Sequence, residues 1–287
     1  MPCTPFSHIR SIGSPGRGTE VVPTTGSSRD FESEVLAVDS IMGDAVLLKV
    51  SAPEHVVANL QAGQFFNIVT RFPTAYDPLL RRPYSVYRAD TRDRTLTFLV
   101  RPFGRGSAWL AERKVGECLG MLGPLGNSFG IPARAQRLVM LAGGVGVAPL
   151  VMLSDEAAAK GLDIVFLMGA ADAAGLLPAS ELTDNVEYVV ATDDGSRGHH
   201  GLATDMVADY VGWADQIFAC GPEPMYATLR EVAEPLRVNK RPPIQISVER
   251  GMACGLGACL GCVVETTRGM IASCVQGPVF DLDEVVP

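Results

Sequence analysis

Leu138-Val139-Met140-Leu141-Ala142-Gly143-Gly144-Val145-Gly146-Val147-Ala148-Pro149 is the stretch on which the fold turns. Its first five residues form an unbroken apolar run, which fits a strand buried on both faces. A glycine-rich turn follows, and Pro149 suits the first turn of a helix, where its missing N–H is not needed. The residues beyond keep the same rhythm. Strands are expected over 163–168, 186–191 and 216–220, with helices over 149–160, 202–211 and about 223–236. Such alternation gives a parallel sheet with crossover helices.

Upstream the pattern differs. Short β-type runs at Ala45–Val50, Phe65–Val69, Tyr84–Tyr87 and Thr95–Val100 are punctuated by Gly, Pro and charged residues. That spacing predicts an antiparallel barrel or sandwich, interrupted by one helix around Ser107–Glu112. Residues 1–30 are rich in Gly, Pro, Ser and Thr without apolar periodicity, and read as a flexible tail. From about 243 onward a short strand leads into a cysteine loop. The expected organisation is therefore a multidomain β plus α/β chain: a tail (1–30), a β-barrel (31–132), an α/β domain (133–240) and a small C-terminal module (241–287).

Composition sets the outer limits. The chain has 287 residues, 47% of them hydrophobic and 20% charged, as globular domains do. A formal net charge of −8 argues against a nucleic-acid partner, which clustered Lys and Arg would serve. No apolar run approaches the roughly 18 residues of a membrane span, and the first 20 residues lack a signal-type apolar core. A cytoplasmic location is the resulting expectation. There the seven cysteines are expected as metal ligands or free thiols, not as a disulfide framework.

Four of those cysteines fall within 21 residues. Cys254-Gly255-Leu256-Gly257-Ala258-Cys259-Leu260-Gly261-Cys262 has C-x4-C-x2-C spacing, and Cys274 follows. This is the plant-type pattern for a [2Fe–2S] cluster, whose two irons take four thiolates. The glycines let the backbone wrap closely and aim N–H groups at sulfur. A structural zinc site would favour two C-x2-4-C pairs, and only Cys259–Cys262 qualifies. A redox C-x-x-C would leave Cys254 and Cys274 unexplained, and four unliganded thiols pack poorly in a glycine-rich loop.

Other motifs carry cofactor chemistry. Arg82-Pro83-Tyr84-Ser85 can set a guanidinium on a pyrophosphate and a ring and hydroxyl against a flavin, though the same residues also fit a plain surface strand. Leu99-Val100-Arg101 ends a later strand. Gly104-Arg105-Gly106-Ser107 opens the helix, with Ser107 as its expected N-cap. In the α/β domain, Gly143, Gly144 and Gly146 permit close backbone approach at a helix start, although they do not spell G-x-G-x-x-G. Cys220-Gly221-Pro222-Glu223-Pro224-Met225 stands at the end of a strand, where ligands of open α/β sheets bind. His199 and His200 fit an exposed loop better than a metal site.

Taken in order, R-P-Y-S, G-x-G-S, G-G-V-G-V-A-P and C-G-P-E-P-M resemble the ferredoxin–NADP⁺ reductase superfamily over about residues 31–240. C-G-L-G-A-C-L-G-C, C-V-Q-G-P-V-F and Thr192-Asp193-Asp194-Gly195-Ser196 are similar to the electron transfer subunit of class 1B dihydroorotate dehydrogenase. The resemblance implies that the barrel binds FAD through Arg82, Pro83, Tyr84, Ser85, Leu99, Val100, Arg101, Gly106 and Ser107. It implies that NAD(H) approaches near Gly143, Gly144, Gly146, Cys220 and Gly221, and that Cys254, Cys259, Cys262 and Cys274 hold the cluster. The implied partner is an FMN-containing subunit that oxidises dihydroorotate to orotate in pyrimidine biosynthesis, joined in a hetero-oligomer (a heterotetramer). No catalytic acid–base pair is implied, since the cofactors carry the chemistry. The long tail and Gln276, where relatives often have an acid, depart from the family pattern. Asp193 and Asp194 would disfavour a ribose 2′-phosphate and Arg197 would favour one; NAD follows from the resemblance. Two alternatives remain: the small subunit of an NADH-dependent ferredoxin–NADP⁺ oxidoreductase, and a zinc-stabilised binding module.

Overall fold

The structure, a computed structural model, describes residues 29–286. The tail expected over 1–30 thus lies outside the described residues except for Arg29 and Asp30, which open the first strand. β1 (Arg29–Met42), β2 (Ala45–Ser51), β3 (Phe65–Ile68), β4 (Arg82–Asp90), β5 (Thr95–Val100) and β6 (Cys118–Leu125) close an antiparallel barrel in the order β1-β2-β5-β4-β3-β6. Alternation fills its interior. In β6, Leu119 and Met121 point inward, and Leu48, Val50, Phe66, Ile68 and Phe98 meet them from other strands. Arg82-Pro83-Tyr84-Ser85, expected at the start of a strand, opens β4.

Two short helices interrupt the barrel. α1 (Glu54–Val57), which the sequence pattern did not suggest, is a single turn that buries Val56 and Val57. α2 spans Arg105–Ala111, two residues earlier than expected, and its N-cap is Gly104. Ser107 is therefore not the cap. It sits in the first turn, where its hydroxyl accepts from the Gly104 and Phe103 N–H groups at 3.0 and 2.8 Å. Cys118, half-buried where β6 begins, is disulfide-bonded. The expectation that the scattered cysteines are ligands or free thiols is corrected there: Cys118 is in a disulfide, whereas Cys220 is a free, buried thiol.

The second layer is a sheet of β7 (Arg137–Gly143), β8 (Asp163–Ala170), β9 (Val186–Thr192), β10 (His199–His200), β11 (Gln216–Cys220) and β12 (Ile244–Ser247), paired in parallel in the order β10-β9-β8-β7-β11-β12. α3 (Val147–Ala159) is apolar on nearly every side because it is wedged between sheet and barrel. The expected helix over 202–211 divides into a 3₁₀ turn, Ala203–Val207, and the short α4 (Ala208–Val211). The Asp205 carboxylate folds back onto the Leu202 N–H at 2.9 Å, which fits the tight first turn. α5 (Glu223–Ala233) turns Tyr226, Leu229 and Ala233 toward the sheet's other face.

Beyond β12 the chain leaves the sheet for the cysteine loop and the hairpin of β13 (Val263–Thr266) and β14 (Gly269–Ala272). It returns through α6 (Ser273–Gln276) to β15 (Val279–Asp281), which lies antiparallel to β12 at the sheet edge. The 241–287 segment is thus shared between the sheet and the cysteine loop.

Two joints fix the layers. Arg88 of β4 donates to Asp155 of α3 and to Glu181, both at 2.7 Å, and the Tyr87 hydroxyl donates to Glu181 at 2.7 Å. At the other end Asn127 donates from Nδ2 to the Gln276 and Val279 carbonyls at 3.2 and 2.8 Å and accepts the Val279 N–H at 2.9 Å. Its backbone N–H donates to Gly277 at 2.6 Å. Asn127→Ala removes the three side-chain bonds, each worth about 1 kcal/mol. We expect a loss of roughly 2–3 kcal/mol in denaturant unfolding; an unchanged midpoint would show that this joint holds nothing.

Candidate functional site

Between the barrel and the carboxyl ends of β7 and β11 lies a cavity of about 770 Å³. Strand order reverses between these two strands, which is where open α/β sheets place ligands. From β4 the cavity receives Arg82, Pro83, Tyr84 and Ser85; from the end of β5 it receives Leu99 and, just beyond, Arg101. Gly106 and Ser107 of α2 form one wall, with Gly146 and Cys220 opposite. The structure therefore brings ten of the expected cofactor residues to one space.

Four others lie outside the lining. Val100 is fully buried in the barrel core. Gly143 and Gly221 serve the packing between the β7 and β11 ends: a Cβ on Gly221 would fall 3.1 Å from the Gly143 Cα. Gly144 adopts a left-handed φ of +52° beside them. Gly146 lines the cavity for a related reason, since a Cβ there would fall 2.3 Å from the Cys220 carbonyl oxygen. Asp193, Asp194 and Arg197 are exposed past the end of β9, as are His199 and His200, and none lines the cavity.

Sequence reasoning missed the run Ser247–Met252, which starts at the last residue of β12 and lines the same cavity. The strand-end rule applied to β12 as well as β11 would have found it. It also missed Phe103, 97% exposed at the cavity edge.

Burial controls the ionisable groups here. The Tyr84 hydroxyl is pushed up to about 12, against the pull of Arg82, and stays a hydrogen-bond donor at any physiological pH. The Cys220 thiol is raised far above its ordinary range, first by desolvation and then by the Glu249 carboxylate. It remains a neutral thiol, not a nucleophile. Glu249 keeps part of its surface open, yet desolvation still raises its carboxyl.

The four loop thiols stand as two interacting pairs, Cys254 beside Cys259 and Cys274 beside Cys262. Among the described residues no three His, Cys, Asp or Glu side chains are arranged to hold a single metal ion. Two pairs suit the two irons of a [2Fe–2S] unit, each of which needs two thiolates. Backbone donors already face the sulfurs. Leu256 N–H points to Cys254 Sγ at 3.4 Å and Gly257 N–H to Cys274 Sγ at 3.2 Å. Such donors bring Cys254 down to about 6, while burial pushes Cys274 up to about 12 in the absence of a positive partner. Ser273 braces the base of the loop, its hydroxyl donating to the Cys262 carbonyl at 2.7 Å.

Cavity and loop share a wall. Phe65, Leu125, Met252, Cys262, Ala272 and Cys274 form one buried apolar cluster, and Phe65 and Met252 also line the cavity.

A closed antiparallel barrel, a parallel sheet of this order and a cavity at their junction define the ferredoxin–NADP⁺ reductase class of fold. In solved structures it is shared by an NADH-dependent reduced ferredoxin–NADP oxidoreductase described in terms of flavin-based electron bifurcation, with TM-score 0.77, 25% identity, and 88% of this chain and 89% of that one covered. A ferredoxin–NADP⁺ reductase from Neisseria gonorrhoeae with bound FAD and NADP has the same fold (TM-score 0.58, 18% identity, 72% and 91% covered). Residues 249–286 match the model of the iron–sulfur cluster binding domain of dihydroorotate dehydrogenase B. A protein of Desulforamulus reducens is 34% identical over 267 residues, 90% of this chain and 99% of its own length. One of Bacillus caldolyticus is 38% identical over 231 residues, covering 79% and 87%. Both are electron transfer subunits of dihydroorotate dehydrogenase B (NAD(+)), and this chain belongs to their family.

Two outcomes test the cavity. Arg82→Ala removes a charged donor, worth about 1.5–3 kcal/mol, and is expected to weaken FAD retention roughly 10- to 100-fold in flavin-release titrations. Because the Cys220 thiol stays protonated, the rate of flavin reduction by NADH should show no inflection near the ordinary thiol value of about 8.5. Cys220→Ser should leave that pH profile unaltered in shape; an inflection lost in the variant would contradict the assignment.

Proposed function

We propose that this chain relays electrons between NAD(H) and a separate FMN-carrying subunit that oxidises dihydroorotate to orotate. Its family is an oxidoreductase family using FAD, a [2Fe–2S] cluster and NAD. When bound, FAD exchanges a hydride with the nicotinamide and single electrons with the cluster, so that a two-electron carrier meets a one-electron path. The observation that carries the reading is the shared wall of Phe65 and Met252 between cavity and thiols.

The chain's own residues position the partners. Arg82 and the start of α2 would hold the pyrophosphate of FAD, and the Tyr84 and Ser85 hydroxyls would offer hydrogen bonds to its ring system. Cys220 and Gly146 line the sheet side of the cavity, where a nicotinamide would be received, and the Cys220 thiol would bring no charge to it. Cys254, Cys259, Cys262 and Cys274 ligate the cluster. Leu256 and Leu260, 56% and 61% exposed, flank the thiols on the outer face and form the docking surface for the FMN subunit. No helix among the described residues is long and apolar enough to cross a membrane. Identity to the dihydroorotate dehydrogenase subunits, 34–38%, exceeds the 25% to the bifurcating oxidoreductase and favours the first reading over the second.

The test is reconstitution. Chain purified with its FMN subunit should contain iron, sulfide and FAD and should form NADH from NAD⁺ and dihydroorotate. Leu256→Glu should weaken association at least tenfold while leaving NADH reduction of FAD intact. A complex that carries iron and flavin but never couples dihydroorotate to NAD⁺ would refute the reading.

A further inference from the structure

We infer that the side-chain amide of Asn67, on barrel strand β3, donates a hydrogen bond to the cluster held by the cysteine loop and thereby raises its reduction potential. The inference rests on the assignment of the four thiols to a [2Fe–2S] cluster.

Asn67 is 0% exposed, and neither Oδ1 nor Nδ2 has a hydrogen-bond partner among the described residues. Whichever way the amide is turned, its NH₂ is unpaired. A buried amide left so costs on the order of 1–3 kcal/mol, so an apolar residue would serve the barrel better if no partner existed. Its cross-strand neighbours, Pro83 on β4 and Leu122 on β6, offer no polar side chain.

The surroundings say where the partner lies. Side chains two apart on a strand share a face, so Asn67 lies on the face of Phe65, the ring packed with Cys262 and Cys274. Phe65 also borders the flavin cavity, but Asn67 does not line it. Instead the cysteine loop is pressed against the amide: a Cβ on Gly255, the residue after Cys254, would fall 2.7 Å from Nδ2 and 3.5 Å from Cγ. Only glycine lets the loop come this close. The backbone donors of Leu256 and Gly257 serve Cys254 and Cys274 from within the loop, and Asn67 adds a donor from the barrel side. An N–H directed at cluster sulfur stabilises the extra negative charge of the reduced state, which moves the potential upward.

EPR-monitored redox titration of the holoprotein decides the matter. Asn67→Leu should lower the cluster midpoint potential and leave the FAD midpoint where it is, and Asn67→Gln, which keeps an N–H donor, should recover most of the shift. A wild-type potential in the Leu variant, or an equal fall in the Gln variant, would overturn the inference. Should the Leu variant lose its cluster, wild-type protein carrying ¹⁵N in its asparagine side chains gives the second reading. The reduced cluster should then show a nitrogen hyperfine coupling, and its absence overturns the inference as well. Protein without iron, sulfide or a [2Fe–2S] signal would defeat the relay reading itself, whereas an intact cluster indifferent to residue 67 defeats only this step.

Discussion

Where the turn after β6 meets the turn after α6, Asn127 spends its backbone N–H on Gly277 and its side chain on Gln276 and Val279. The first turn ends the barrel that borders the flavin cavity, and the second follows directly on Cys274. One residue therefore ties the wall of the cavity to the cysteine loop. Electron transfer between two centres depends steeply on their separation, so a hinge at this point would uncouple them. The Arg88 ion pairs with Asp155 and Glu181 do the same for the barrel and sheet. Between these two joints the cavity, its Phe65 and Met252 wall and the four thiols sit in one packed frame.

Within that frame the cavity sets arginine side chains beside neutral hydroxyl and thiol groups. Desolvation keeps the Tyr84 hydroxyl and the Cys220 thiol protonated and raises the Glu249 carboxyl. A cavity built this way offers hydrogen-bond donors and contact surface but no strong base. The thiol loop is the opposite case. Backbone N–H groups converge on Cys254 and Cys274, as thiolates that share negative charge with iron require.

The parts of this arrangement that are local in sequence were readable there. C-x4-C-x2-C is a spacing, Leu138–Pro149 is a run followed by a turn, and the barrel strands alternate; each can be read in a window of about a dozen residues. What escaped was non-local. β15 is three residues long, and only pairing with β12 makes it a strand. The Ser247–Met252 run reaches the cavity because β12 ends beside β11. Gly143 and Gly221 read as residues that NAD(H) approaches, yet each meets the other. Asn67 in Phe65-Phe66-Asn67-Ile68 reads as a polar residue in a buried strand, and its meaning appears only when Gly255, nearly 190 positions away, is seen against it.

If the cavity holds FAD and the thiols the cluster, the two form one conducting unit within this chain. Mixing the isolated holoprotein anaerobically with excess NADH and freezing samples on the millisecond scale measures it directly. The reduced-cluster EPR signal should grow in step with flavin turnover, with no partner subunit present. A flavin that is fully reduced while the cluster stays oxidised until the partner is added would contradict the account.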